Sequence, residues 1–590
     1  GDPYNKDGGA DGAECPDGAK IGTVEVETPL LDDPLTGEVI LGAPKSTDPT
    51  SGQMFRLFIV ARDSERGLIA KIAGSSVADP HTGQLTTTFD QNPRVPFETM
   101  RLELRGGDRG LLALPQDCGD RGWLADFSPW TAEHGAGGVP ISDAGSFVAD
   151  ERCGLGFSPT LVAGTSPRRG GGSGVFDFTL ARRDGEQWFE GLSAVLPKGL
   201  LASVRGVPLC SNAQAAASAC PAGSRIGSVD AGAGSGTPFF LERKGTVYLT
   251  EGYEGAPYGL AVSVPVEAGP FRGALALSPI VVRQALHVDR TTAQVTAVSD
   301  PFPRIHHGIP LRVRQVSVKV DRQGFVRNPT DCSPKQITAD VRSTRGAVAN
   351  LASHFQATHC SALPFKPRFA LQLTGRKQTK TGKHPGVKAV VRQAGTGEAG
   401  IKRAVVRLPR SVALDPDNAQ SLCEFADGTK PDLENHCPRG SIVGRARAVS
   451  PLLNRPLVGN VYFVKNVRTD PRTGNEIRTL PMIVVALRGE IAINLRGESS
   501  TTKNGRLVNT FASVPDAPVQ RFNLNIKGGG SGILAVTRTR RARIDLCTAG
   551  RQIAEADVDA HNGRRADQDI RIKRPCPPKR EAKRRGRSHR

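Results

Sequence analysis

Apolar and polar residues alternate with a period of two in many short stretches of this chain, the mark of strands with one buried and one wet face. Phe522, Leu524 and Ile526 alternate with Asn523, Asn525 and Lys527; Val316, Val318 and Val320 repeat the pattern, as do Met100, Leu102 and Leu104. Residues 483–487 and 491–495 flank Arg488-Gly489-Glu490 and predict a hairpin, because glycine accepts the positive φ that tight turns demand. Asp-Pro and Thr-Gly pairs, such as Asp79-Pro80 and Thr82-Gly83, mark further strand ends. No amphipathic helix of ~12 residues stands out, and only short turns such as 212–219 have helical composition. The prediction is an all-β protein.

The pattern also repeats at long range. Cys15-Pro16-Asp17-Gly18-Ala19-Lys20-Ile21-Gly22 recurs as Cys220-Pro221-Ala222-Gly223-Ser224-Arg225-Ile226-Gly227 and, more loosely, as Cys437-Pro438-Arg439-Gly440-Ser441-Ile442-Val443-Gly444. A Gly-x-Val follows each cysteine by 22, 25 and 22 residues, at Gly37, Gly245 and Gly459, and a closing cysteine ends each copy, at Cys118, Cys332 and Cys547. The stretches between copies match as well, each running to Leu-Pro (Leu196-Pro197, Leu408-Pro409) and then to Cys210 or Cys423. One period is about 215 residues and holds a long and a short module. The expected architecture is tandem: Ig-like β-sandwich short modules alternating with long modules that are a second sandwich or a small barrel. The expected domains are 1–118, 211–332 and 424–547 as long modules, 119–210 and 333–423 as Ig-like short modules, 548–576 as a partial short module, and 577–590 as a basic tail.

Composition sharpens this. Across 590 residues, 38% hydrophobic with 67 Gly and 43 Pro, the make-up excludes one large helical body and falls short of a disordered polymer. No run approaches ~18 apolar residues and no apolar N-terminal stretch is present, so neither a membrane span nor an uncleaved signal peptide is expected. The 11 cysteines fall, once the repeats are aligned, into the equivalent pairs Cys118–Cys153, Cys210–Cys220, Cys332–Cys360, Cys423–Cys437 and Cys547–Cys576. Such regularity points to disulfides in an oxidising compartment rather than to zinc, although His359 and His436 each precede a cysteine. Cys15 is left over: its partner should lie just upstream, where residues 1–14 hold no cysteine. The simplest expectation is that residue 1 is an internal point of a longer precursor; an unpaired thiol and a bond to another chain are the alternatives.

The run Cys-Pro-x-Gly-Ser-x-Ile-Gly, then Gly-x-Val-Tyr-Leu, then Asn328-Pro329-Thr330-Asp331-Cys332 resembles large repetitive secreted proteins encoded by high-GC actinobacteria. The resemblance covers nearly the whole chain from Cys15. It implies an exported, repetitive, extracellular or cell-surface protein and transfers no active-site residue, since that family carries no established activity. The first copy departs from it with Leu114-Pro115-Gln116-Asp117, and the third with Ala542-Arg543-Ile544-Asp545-Leu546.

Candidate chemistry is sparse. There is no nucleophile elbow, HExxH or P-loop, and the diverged copies share no acid, base or nucleophile, so an enzyme is not expected. The adjacent pair His306-His307 sits in a proline-bounded loop and reads as a solvated turn. Asp2, Asn5 and Asp7 place oxygen ligands beside glycines and are the candidate calcium residues, without EF-hand spacing; no other cofactor is expected. Net charge is +20, and residues 571–590 carry ten Lys or Arg against one Glu. Arg580, Lys583, Arg584, Arg585 and Arg587 are therefore candidate contacts for an anionic envelope polysaccharide or a neighbouring subunit. Nucleic acid is not expected, because that tail has no aromatic residue to stack on bases. The functional expectation is a secreted, disulfide-pinned scaffold that assembles with its own copies into a fibre, sheath or surface layer. The alternative is an adhesin or glycan-binding stalk, its site near Trp123, Trp130 and Trp188.

Overall fold

A computed structural model describes residues 15–576 apart from 45, 47–52, 91, 108–109, 113–117, 131–140, 150–154, 235–236, 242–243, 267–276, 470–471 and 539–541. Nearly all of its regular structure is strand, arranged in three successive units.

The first unit comprises β1 (Lys20–Glu27), β2 (Leu35–Gly42), β3 (Gln53–Asp63), β4 (Leu68–Ala78), β5 (Leu85–Thr88), β6 (Thr99–Leu104), β7 (Gly119–Phe127) and β8 (Ile141–Ala149). The second holds β9 (Thr160–Ser166), β10 (Ser173–Ala181), β11 (Phe189–Val195), β12 (Leu201–Ala202), β13 (Arg225–Ala233), β14 (Phe239–Phe240), β15 (Gly245–Thr250) and β16 (Tyr258–Val266). It continues through β17 (Leu277–Val288), β18 (Val295–Ser299), β19 (Ile305–His306), β20 (Ile309–Pro310), β21 (Val313–Val320), β22 (Val326–Arg327), β23 (Lys335–Ser343) and β24 (Val348–Phe355). The third begins with β25 (Arg368–Thr374), β26 (Gly386–Arg392), β27 (Ile401–Arg407), β28 (Val412–Leu414), β29 (Ile442–Val449), β30 (Leu457–Thr469) and β31 (Glu476–Arg488). It ends with β32 (Ile493–Thr501), β33 (Leu507–Phe511), β34 (Arg521–Ile526), β35 (Leu534–Val536), β36 (Ile553–Ala560) and β37 (Arg565–Arg571).

One antiparallel meander is common to all three units. Its order is β5-β4-β3-β2-β1-β6 in the first, β18-β17-β16-β15-β13-β21 in the second and β33-β32-β31-β30-β29-β34 in the third. The repeated glycines of the sequence are explained here. A bulge interrupts pairing just before Gly22, Gly227 and Gly444, and a Cβ there would meet a neighbouring-strand carbonyl oxygen at 2.3, 2.2 and 2.2 Å. At Gly37, Gly245 and Gly459 the approach is as close, with a carbonyl oxygen 1.8, 2.5 and 1.7 Å from the Cβ position. Only glycine lets the strands meet this closely. Ser224 and Ser441, both buried, donate to the carbonyls of Pro221 and Pro438 at 2.7 and 2.6 Å and hold the Cys-Pro turn.

In the second and third units the open edges of the meander are filled. β10 adds to β21, and β9 to β10; β11 adds to β18, and β23 and β24 follow. The two sheet ends then meet side by side. Ala163 N donates to Ser353 Oγ at 2.9 Å, that hydroxyl donates to the Ala163 carbonyl at 3.0 Å, and Thr358 and Arg168 continue the seam. The third unit repeats this, with β26 on β34, β27 on β33, and β36 and β37 beyond. There the seam runs through Leu371, Leu373 and Lys573, the Leu373 N–H reaching the Lys573 carbonyl at 2.8 Å. Each of these two units is thus a closed β-barrel, and closure removes the edge strands a flat sheet would expose.

This corrects the expected domain plan. The strands assigned to the short modules 119–210 and 333–423 do not build an Ig-like sandwich of their own. Apart from β7 and β8, which pair with each other in a two-stranded sheet, most of them pair into the long module's sheet, so the boundaries expected at 210 and 423 fall inside single barrels. The physical reason is the two free edges of a six-strand meander, each a row of unpaired backbone groups that the short-module strands satisfy. The hairpin expected around 488–490 is present, with Leu487 opposite Ile493. The stretch 548–576 packs on its own chain, where β36 pairs with β27. The short helix α1 (Asn212–Ala216) occupies the turn-like segment at 212, with Ser211 and Gln214 forming a capping box.

Candidate functional site: an apolar lumen through two barrels

The apolar faces that alternation identifies turn inward. Val316, Val318 and Val320 on β21, and Phe522, Leu524 and Ile526 on β34, line the inside of the second and third barrels. So do Leu260, Val262 and Val264 on β16 and Ile483 and Leu487 on β31. One cavity of about 550 Å³ runs through both barrels, and among the described residues lining it there is no Asp, Glu, Lys, Arg or His. Its polar side chains are Tyr258, Gln284, Gln393, Ser450 and Asn509. Many wall residues, Leu260, Val318 and Leu524 among them, are half-buried: they face the lumen rather than a filled core.

The barrels meet end to end through a polar collar around this passage. Val204 N and Arg205 N both donate to the Leu452 carbonyl (2.9 and 3.1 Å), Gly206 N donates to Asn454 Oδ1 (2.8 Å), and Asn494 N to the Arg290 carbonyl (2.6 Å). Tyr258 donates its hydroxyl to Glu490 at 3.1 Å; burial first, then that carboxylate, push the phenol's pKa up, so it remains a donor. Asp516, buried at the junction, accepts from Thr330 N (2.7 Å), Thr330 Oγ1 (2.5 Å) and Asp331 N (3.2 Å), while Gly400 N donates to the same Thr330 hydroxyl. The Asn-Pro-Thr-Asp-Cys run is therefore a joint. Its Asn328, also buried, takes the Thr165 hydroxyl (2.6 Å) and donates to the carbonyls of Pro167 and Arg169. Burial raises the Asp331 carboxyl, but the Lys335 ammonium at 2.7 Å and the Ser333 N–H and hydroxyl outweigh it and hold the pKa below the ordinary carboxylate range.

The four cysteine pairs whose members are all described are bonded: Cys210–Cys220, Cys332–Cys360, Cys423–Cys437 and Cys547–Cys576, with Cα separations of 5.3, 5.8, 5.0 and 5.5 Å. Cys118 is disulfide-bonded, and Cys153 lies outside the described residues. The Cys210 and Cys423 loops cover the outer face of the meander, where Cys210 packs with Ala215 and Ala261, and Cys423 with Leu433 and Val464. Cys15 is buried at the equivalent place on the first unit, against Ile40, Phe58 and Val60.

Asp2, Asn5 and Asp7 lie outside the described residues, as do Arg580, Lys583, Arg584, Arg585 and Arg587. The three tryptophans are not alike: Trp123 and Trp130 are exposed in the first unit, whereas Trp188 sits under the Arg312 guanidinium in the second. The His306-His307 loop is no free turn. Both imidazoles hydrogen-bond Ser278, burial and the neighbouring His307 depress the His306 pKa, and Gly308 packs on Ala78 of the first unit. Among the described residues, no helix is long and apolar enough to cross a membrane. Sequence reasoning missed the lumen and Asp516; alternation marked the apolar face but could not say whether it met another sheet or a void. No protein-family model and no curated protein matches the chain.

Proposed function

We propose that the protein is an extracellular rod of stacked β-barrels whose common lumen holds hydrocarbon chains, the acyl tails of lipids. The observation that carries this reading is a wall continuous through both barrels, with no charged side chain among its described residues. A wall of this kind gains about 0.8 kcal/mol for each methylene it takes from water, so affinity rises with chain length, while an ionised headgroup pays to enter and stays at an opening. Disulfides at equivalent places in successive units support an oxidising, external compartment. Organic extraction of protein isolated from its native source should release acyl lipids, read by mass spectrometry. Folded recombinant protein should bind a fluorescent fatty acid, and Leu260→Arg or Leu524→Arg, each placing a guanidinium in the wall, should weaken it roughly tenfold or more. An empty extract, together with no binding by the folded parent, removes the reading.

A second reading, assembly into a fibre, sheath or surface layer, is favoured by how units stack. The turn after β4 meets the β19–β20 hairpin of the second unit, and the equivalent turn after β17 meets the third, so successive units lead with the same turn. Electron microscopy of native material that showed only isolated single chains would count against it.

A further inference from the structure

The outer face of the third barrel carries an array of cations that its fold does not require. On β25, β26, β34 and β29 the residues that alternate with the lumen wall point outward, three to a strand. Strand pairing sets them in rows. Arg368 lies opposite Arg392 and Arg392 opposite Arg521; Lys388 and Arg445 flank Asn525 on either side, and Arg447 lies opposite Asn523. Of these twelve positions six are Arg or Lys, all six exposed, and none is Asp or Glu. Among the described residues, none of the six cations forms an ion pair.

The second barrel supplies the comparison. The bulge glycines put the two barrels in register, Gly227 opposite Val320 and Gly444 opposite Ile526. At the twelve corresponding positions of β9, β10, β21 and β13 the charged residues are Asp177, Asp230 and Lys319, one cation less two anions, or −1, against six less none, or +6. The same pairing thus forms without the array. Like charges directly opposite on adjacent strands weaken a sheet, so a face that keeps them is matched to negative charge from outside the chain.

We infer that this face binds an acidic polysaccharide. With strands about 4.8 Å apart and alternate residues about 6.7 Å apart, the array covers roughly 14 by 13 Å, room for several anionic groups of one polymer. Asn523, Asn525 and Gln372 lie among the cations and offer amide donors and acceptors to sugar hydroxyls. None of the twelve is aromatic, which leaves nucleic-acid bases nothing to stack on. The apolar members are Ala370, Val390 and Val449, too small to anchor in a bilayer. The face lies outside the lumen, and the inference stands whether or not the barrels carry lipid.

The test is titration of the full chain with polygalacturonate at low salt, where surface charge is least screened. Arg392→Gln, Arg445→Gln and Arg447→Gln together should weaken binding roughly tenfold or more and leave the melting temperature no lower. Removing three exposed lysines of the second barrel instead, by Lys198→Gln, Lys244→Gln and Lys319→Gln, should weaken it less than about threefold. No binding by the parent, equal loss in the two triple variants, or unchanged affinity in the first, which would put the contact in residues 577–590, overturns the proposal. A first variant that melts well below the parent does so too, since its arginines are then structural. So does tighter binding to phosphatidylglycerol vesicles or to single-stranded DNA than to the polysaccharide.

Discussion

Asp516 shows how much one side chain can carry at a joint between repeats. Its carboxylate collects two backbone N–H groups and a hydroxyl from the Thr330-Asp331 turn, and all of these lose their partner together if it is truncated. Stranding buried donors costs about 1–3 kcal/mol. Asp516→Ala should therefore lower stability by roughly 2 kcal/mol and loosen one barrel from the next. The check is urea unfolding followed by one reporter in each barrel: coincident transitions in the parent should separate in the variant. Asp516 stands in no repeated motif, so nothing in the sequence marks it. Gly227 and Gly444 are the opposite case, since they recur in phase and each faces a strand carbonyl that no Cβ could approach.

At the scale of elements, the Cys332–Cys360 bond clips the joint to the barrel seam, because Cys332 follows the Thr330-Asp331 turn and Cys360 follows the Thr358 contact with Arg168. It spans 28 residues. Replacing both cysteines with serine should cost about 3 kcal/mol on the chain-entropy account, measurable as a lower urea midpoint with an unchanged slope. Much at this scale was legible in the sequence. The alternation of Phe522, Leu524 and Ile526 marked a strand and its apolar face, and the cysteine spacing marked the bonded pairs. The pairing of β11 with β18 was not legible, because it joins residues about a hundred positions apart and either edge of the meander offers the same backbone groups. The sandwich expected for 119–210 failed for that reason: local pattern gives strands, while their neighbours depend on which edges are open.

For the whole molecule, the acidic turns at the junctions set a pH limit. At Asp289, burial raises the carboxyl, but the Thr292 hydroxyl and the N–H groups of Thr292 and Thr291 outweigh it; Asp331 behaves likewise, so both are depressed in the folded state. A depressed folded pKa contributes stability that is full above the unfolded value of about 3.9 and is lost as pH falls through the lower folded value. Thermal melts should be nearly flat from neutral pH down to about pH 5 and drop below about pH 4. Asp331→Asn should reduce the size of that drop; an unchanged acid profile in this variant would remove Asp331 from the account.

The offset between sequence period and barrel has a consequence for how such a chain changes over generations. Each closed barrel borrows strands from both sides of a period boundary, β11 ahead of the meander and β23 behind it. Gain or loss of one whole period therefore leaves every remaining barrel complete, wherever in the period the crossover falls, whereas a break out of phase leaves two barrels open. Unequal recombination thus becomes a ruler: it can lengthen or shorten the molecule in steps of one barrel.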